Sequence, residues 1–204
     1  MNLNFNRLYT YLAVSLSLLI PVSGRFAFGI VILLFFNLSV ILTVLTIHGI
    51  RKFQFEYLKF SLVAFEIIAF TLLFRQITVI LCPIIAMSCG FAFFIVAAAS
   101  VMIPMFFTES STPLKEDLLL QLKSSLLISL FCLVFFLFRD IIGFGTVTLP
   151  VWQDILVLKI PYLYDHLNML SFIGTIPGVL LIIGILLSIF IKFYGKGKSD
   201  IQKS

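Results

Sequence analysis

The sequence predicts an all-α integral membrane protein with about six transmembrane helices. Hydrophobic residues make up 61% of the 204 residues and charged residues only 11%, whereas soluble domains carry roughly 25% charged residues. The hydrophobic residues also fall in runs close to the length that a helix needs to cross a bilayer, about 20 residues. This composition excludes a water-soluble enzyme.

Six apolar segments are separated by charged or polar residues. The first is short for a membrane span. The fourth is long and contains Pro83 and Gly90, which predict a break. The segments are Leu8–Val22, Phe26–Ile47, Leu58–Phe74, Ile77–Phe107, Leu118–Phe138 and Ser171–Tyr194.

The segments form two halves of three, about 8–74 and 77–194, within a single transmembrane domain over residues 1–204. Each half has an odd leading helix followed by two full spans. Three spans per half insert in opposite senses, which predicts the inverted repeat found in many transport proteins.

Lysine and arginine positions predict that both termini lie on the cytoplasmic side of the cell inner membrane. Residues 195–204 then form a cytoplasmic tail. A secretory signal cleaved after Val22-Ser23-Gly24 is the alternative for the first segment. It is disfavoured because apolar sequence resumes at Phe26. In the predicted orientation the outer side carries only Arg25, Arg75, Arg139 and Lys159, while the other ten basic residues lie inside.

The long connection from Gly143 to Asn168 contains the apolar stretch Ile155–Ile160 and several aromatic residues, Trp152 among them. Aromatic residues prefer the headgroup region. The sequence therefore predicts that this connection lies along the outer membrane interface.

Few polar residues inside the segments are candidates for chemistry. Glu66 lies in the middle of the third segment, where an ionised side chain facing lipid costs roughly 2.5–3.5 kcal/mol. It is either part of an ion or proton path or a protonated carboxyl hydrogen-bonded to another helix. Cys82 and Cys89 flank the predicted break. They are candidate metal ligands, with small buried hydrophobic residues as the alternative.

Charges and glycines end the fifth segment in the octapeptide Arg139-Asp140-Ile141-Ile142-Gly143-Phe144-Gly145-Thr146. The glycines predict a sharp turn at the outer surface, with the charged side chains reaching lipid headgroups. Gly174 and Gly178 predict a close approach of two helices. The sequence has no catalytic triad pattern, phosphate-binding loop or HExxH zinc motif.

The octapeptide resembles the R-E-(I/L)-(I/L)-G-x-G-T signature of the E subunit of Rnf electron-transport complexes. The homologous D subunit of sodium-pumping NADH:quinone reductase has the same signature. An interfacial stretch like Ile155–Pro161 and the pair Pro177-Gly178 follow in the same order and at similar spacing. Pro83–Cys89 is similar to the P-L-I-V-T-N-C motif of that family's fourth helix. The family's six helices in two inverted halves agree with the layout above.

The resemblance implies a subunit, without catalytic residues of its own, of an ion-translocating oxidoreductase complex. In that family the fourth-helix cysteine helps to hold a two-iron iron–sulfur cluster, shared with an oppositely oriented homologous sister subunit, so Cys89 is the implied ligand. Tyr9 stands where the family has its second cysteine. The remaining thiolates would then come from Cys82 or from the sister subunit, because such a cluster takes four.

Two other interpretations stay open. A stand-alone small-molecule permease, or the substrate-binding subunit of a vitamin transporter, also uses about six helices in a chain of this length. It would need a substrate pocket but neither iron nor a sister subunit. A paralogue that keeps the fold without a redox role is the other, and Tyr9 favours it. Nucleic acid is not expected as a partner, because the basic residues are scattered singly.

Overall fold

The computed structural model describes residues 13–107, 113–161, 171–185 and 188. These residues form a mostly helical protein with one β-hairpin. Helix α1 covers residues 13–19 of the described chain, and α8 is the apolar helix Ile176–Ile185. Between them lie α2 (Phe26–Lys52), a 3-10 turn (Glu56–Leu58), α3 (Lys59–Leu81), α4 (Pro83–Ser88), α5 (Ala92–Phe107), α6 (Leu114–Phe144), β1 (Thr146–Val151), β2 (Asp154–Lys159) and α7 (Ser171–Gly174).

Three helices, α2, α3 and α6, are long and apolar enough to cross a membrane. At 1.5 Å per residue their lengths are about 40, 34 and 46 Å, against a hydrocarbon core of roughly 30 Å. Helices α5 and α8 are apolar but shorter. The described residues therefore support a helical membrane protein. The count of six spans stays a prediction, since the first and last predicted segments extend beyond these residues.

Helix α2 is the centre of the packing and contacts α3, α5, α6 and β1. Its Phe35 is fully buried and packs against Phe70 and Phe74 of α3 and Phe93 of α5, with ring centroids 5.7, 4.9 and 5.3 Å away. Aromatic pairs of this kind contribute roughly 0.5–1.5 kcal/mol each beyond burial. The aromatic cluster therefore joins three helices without any polar contact.

The predicted end of the third segment is wrong. The sequence predicted a helix ending at Phe74 and an outer loop at Arg75, but α3 runs through both to Leu81. Arginine and the glutamine that follows it are good helix formers, so nothing ends the helix there. Pro83 disfavours helical backbone at the residue before it, and Cys82 is accordingly non-helical, with φ −152° and ψ 85°.

The predicted break in the fourth segment is present. Pro83 is the first residue of α4, where its missing N–H costs nothing, and the helix has only six residues. Cys89 ends α4, and Gly90 and Phe91 form a turn before α5 begins. The short helix is therefore flanked by Cys82 and Cys89.

A β-hairpin, which the sequence did not predict, follows α6 in this otherwise helical protein. The two strands are antiparallel, with Val151 opposite Asp154. Trp152 and Gln153 form the turn, and Gln153 has a left-handed φ of 64°, which short hairpin turns commonly require. The Gln153 N–H donates to the Leu81 carbonyl at 2.8 Å. The hairpin turn therefore caps the C-terminal end of α3.

Candidate functional site

Arg139 lies near the C-terminal end of α6 and is fully buried. Its Nη2 donates to the Gly174 carbonyl at 3.0 Å, and its Nη1 donates to the carbonyls of Val22 at 3.1 Å and Leu19 at 3.4 Å. Leu19 is the last described residue of α1 and Gly174 the last of α7, and the final carbonyls of a helix carry partial negative charge. Arg139 therefore binds two helix ends. The prediction that it reaches the headgroups is wrong.

Asp140 is also fully buried, so the same prediction is wrong for its carboxylate. Its Oδ2 accepts hydrogen bonds from the Phe26 N–H at 3.1 Å and from the N–H and hydroxyl of Thr148, both at 2.7 Å. Its Oδ1 accepts from the Thr146 hydroxyl at 2.9 Å. The Ala27 N–H donates to the Thr148 hydroxyl oxygen at 3.1 Å. Asp140 and Thr148 together cap the N-terminus of α2, where a negative charge is favoured.

Glycines allow three segments to meet beside these charges. Gly145 ends α6 with a left-handed φ of 62°, so the predicted sharp turn is present at this residue. A Cβ on Gly143 would lie 2.9 Å from the Gly174 nitrogen, and a Cβ on Gly24 would lie 2.7 Å from the Gly174 oxygen. Real side chains do not approach so closely, and the close approach predicted at Gly174 is confirmed.

Pro177 and Gly178 belong to the start of α8. Pro177 lies in the first turn of that helix, where proline is favoured. A Cβ on Gly178 would overlap the Phe172 carbonyl oxygen, so this glycine serves the turn between α7 and α8. Its predicted contact with another helix is not what restricts it.

Five residues of the octapeptide signature thus lie in one structural junction. The ends of α1, α2, α6, α7 and β1 meet there, and we call it the Arg139 junction. Its members are Arg139, Asp140, Gly143, Gly145 and Thr146.

The two cysteines at the α4 break have different surroundings. Cys89 is 1% exposed. The thiol of Cys82 donates to the Asp154 carbonyl at 3.4 Å, so it is directed at the hairpin. Cys89 follows Cys82 by seven residues, which corresponds to a helical rise of about 10 Å. No group of three or more His, Cys, Asp or Glu side chains suited to a metal is found within the described residues, and Tyr9 lies outside them. The role of Cys89 as an iron ligand stays a prediction.

Glu66 lies on α3, half-buried and close to Thr46 of α2. Both carboxylate oxygens are buried, and neither has a hydrogen-bond partner within the part of the chain that the structure describes. Both interpretations of Glu66, an ion or proton path and a carboxyl hydrogen-bonded to another helix, stay predictions.

Sequence reasoning missed a polar seam between α2 and α6. Asp117 Oδ2 lies 3.8 Å from His48 Nδ1, and Asp117 Oδ1 accepts from Gln121 at 3.2 Å. Further along, the Asn37 amide donates to the Ser129 hydroxyl oxygen at 2.7 Å. The available signal was the four-residue spacing of polar residues that places them on one face of α6. The α6 members of the seam are Asp117, Gln121, Ser125 and Ser129.

An apolar groove of about 450 Å³ lies between α2, α3 and the hairpin. Its lining contains no charged side chain, and includes Leu34, Phe74 and Trp152 beside Thr78 and Cys82. Small-molecule sites usually combine an apolar wall with a few convergent polar groups. The groove therefore suits a hydrocarbon chain better than a polar vitamin.

The candidate residues occupy separate places along the helices. The Arg139 junction lies at the C-terminal end of α6, and the thiols lie at the two ends of α4. Glu66 lies 15 residues before the end of α3, about 22 Å away along the helix axis. Comparison with protein-family models, curated proteins and solved structures finds no match for this chain.

Proposed function

We propose that this chain is a divergent membrane subunit of an ion-translocating electron-transport complex of the Rnf or Nqr type. The observation that carries the proposal is the octapeptide Arg139–Thr146, which resembles the signature of the E and D subunits. The Arg139 junction supports the proposal because the charged residues and the glycines of the signature lie together in it. The broken fourth segment is compatible with the same family.

In this proposal the partners are other membrane subunits, above all an oppositely oriented homologous sister subunit. A two-iron iron–sulfur cluster shared with that subunit would carry electrons between the two sides of the membrane. Cys89 would hold it from this chain. Cys82 fits less well because its thiol is directed at the Asp154 carbonyl, so the other thiolates would come from partners. Glu66, a buried carboxylate without a hydrogen bond among the described residues, would belong to the ion path.

The proposed orientation places both termini in the cytoplasm and the hairpin on the outer side of the inner membrane. Trp152 at the hairpin turn is 68% exposed, so a cysteine there can be reached by reagent. Trp152→Cys is expected to react with a membrane-impermeant maleimide on intact cells. The three native cysteines are buried and give the background. If Trp152→Cys reacted only after the cells were opened, the chain would have the opposite orientation to the one proposed.

The redox proposal is tested by the iron content of the complex purified through a tag on this chain. Cys89→Ser is expected to lower both iron content and the electron paramagnetic signal of a reduced two-iron cluster. Cys132→Ser is the matched control, because Cys132 is equally buried but lies on the continuous helix α6. Equal iron in all three proteins would favour the fold-retaining paralogue. If the complex purified through this chain contained no redox subunit, the proposal would be wrong.

A further inference from the structure

Arg75 lies on the exposed face of a membrane-crossing helix. It precedes the C-terminal end of α3 by six residues, a rise of about 9 Å, which places it within the apolar length of the helix. None of the described acidic side chains forms an ion pair with it. A charged side chain facing lipid at such a depth costs several kcal/mol, so this position requires an explanation.

The side chain of Arg75 does not extend toward the near end of α3. Cα–Cβ bonds in a helix tilt toward its N-terminus, which here leads deeper along the helix. The Arg75 Nε lies 3.8 Å from the position that a Cβ on Gly90 would occupy. The guanidinium is therefore held beside the turn between α4 and α5.

That turn is a second feature that does not suit lipid. Cys89, Gly90 and Phe91 form irregular backbone between two helices, and irregular backbone at membrane depth is tolerated only where protein or water covers it. On this side the chain's own described residues leave the region open, since Met87 is 86% and Phe91 77% exposed. A cation and a break in the hydrogen-bonded backbone thus share one otherwise apolar face.

We propose that this face is the docking surface for a transmembrane helix of a different subunit, which carries a carboxylate at the depth of the break. We call it the Arg75 face, and its members are Arg75, Gln76, Met87, Ser88 and Phe91. A carboxylate would pair with the guanidinium, and a helix lying across the turn would exclude lipid from its backbone. Exposed apolar side chains around the cation supply the packing surface.

A second copy of this chain does not fit the surface. The membrane-crossing helices have four described acidic residues, of which Glu116 lies in the first turn of α6, at the opposite end of that helix from the Arg139 junction. The other three are Glu66, Asp117 and Asp140. Asp117 and Asp140 are buried within the chain, and Glu66 faces Thr46 of its own α2. None of the three presents a carboxylate on the lipid-facing surface. The described residues of this chain therefore offer no carboxylate to pair with Arg75, and the proposal assigns that carboxylate to a different subunit.

Docking of another helix on the Arg75 face does not depend on the redox function, because the face contains no proposed iron ligand. Its test uses a photo-crosslinking amino acid at Gln76 or Met87 of the full-length chain in native membranes. Control positions are Leu127 and Leu130, which are similarly exposed on α6. The expected result is a covalent adduct to another membrane protein from the Arg75 face only, whose crosslinked segment contains Asp or Glu when sequenced by mass spectrometry.

Variants of Arg75 complete the test. Arg75→Leu is expected to lower the adduct yield by roughly tenfold or more, since losing one member of a desolvated ion pair weakens association strongly, and Arg75→Lys is expected to restore much of it. Exchanging the charges, with Arg75→Glu and arginine at the partner's acid, should also restore the adduct. Adducts only to lipid, adducts twice the mass of this chain, or an Arg75→Leu yield equal to wild type would each overturn the proposal. An adduct in a complex without iron would refute only the redox function.

Discussion

Replacing Asp140 distinguishes a structural carboxylate from one that carries protons. Its Oδ2 accepts from the Phe26 N–H and from the N–H and hydroxyl of Thr148, and its Oδ1 accepts from the Thr146 hydroxyl. An asparagine can place its carbonyl oxygen at the Oδ2 position and its NH2 group toward Thr146, whose hydroxyl can accept. We therefore expect Asp140→Asn to keep the Arg139 junction and Asp140→Leu to break it.

The size of the effect follows from the donors that each variant leaves unpaired. In Asp140→Leu the two hydroxyls can turn to other acceptors, but the N–H groups of Phe26 and Thr148 cannot. A buried donor without a partner costs roughly 1–3 kcal/mol, so the expected loss of stability is about 2–6 kcal/mol. In Asp140→Asn the N–H groups of Phe26 and Thr148 keep an acceptor, while the Thr146 hydroxyl changes from donor to acceptor. The loss is then about 1–2 kcal/mol, because neutral hydrogen bonds are about half as strong as charge-assisted ones.

Both variants are compared with wild type by the amount of full-length chain in the membrane and by the fraction that stays monodisperse in detergent after heating. Thr148→Val removes the hydroxyl bond to Asp140 and leaves the Ala27 N–H without its acceptor. One unpaired N–H in place of two places the expected loss between wild type and Asp140→Leu. If Asp140→Asn were as damaging as Asp140→Leu, the charge itself and not the hydrogen bonds would be essential. Wild-type behaviour of Asp140→Leu would show that the junction does not stabilise the fold.

Two further predictions concern a glycine of the junction and the second buried carboxylate. Gly143→Ala is expected to destabilise the chain by roughly 1–3 kcal/mol, since the new methyl group would lie 2.9 Å from the Gly174 nitrogen. The control is Gly49→Ala, whose methyl group would meet nothing within 4 Å and should leave thermal stability in detergent unchanged or raised. Equal effects of the two substitutions would contradict the packing argument. Glu66→Leu is expected to accumulate in the membrane at least as well as wild type, because the carboxylate has no hydrogen bond within the described residues to lose. Cation transport by the purified complex is expected to fall in both Glu66→Leu and Glu66→Gln. Poor accumulation of Glu66→Leu would show that the carboxylate supports the fold.

The break in the fourth segment was predictable because its causes are local. Pro83 restricts the backbone of the residue before it, and Gly90 lies in the turn that follows α4. The end of α3 was not predictable from Arg75, because a single charge lowers hydropathy without opposing helical backbone. The error came from treating a change in polarity as a change in structure.

The hairpin and the junction show two limits of a sequence signal. Thr146 to Val151 is rich in β-branched residues, which favour strands, but its apolar character also fits an interfacial loop. The octapeptide indicated which residues belong together without indicating what they contact. The carbonyls that Arg139 binds lie 35, 117 and 120 positions away along the chain, so only the folded chain brings them to α6.

Charged side chains within the apolar helices fall into two groups according to whether this chain pairs them. Arg139 and Asp140 are fully buried, and backbone and hydroxyl groups of the same chain pair with both. Arg75 is exposed on α3 without an ion pair, and the carboxylate of Glu66 lacks a hydrogen bond, among the residues that the structure describes. An unpaired charge in a membrane costs free energy, which the fold does not recover from its own contacts. The first pair therefore belongs to the stability of the fold. For the second pair we propose a role in what the fold binds or transports, so its replacement is expected to change the assembled complex while leaving the isolated chain intact.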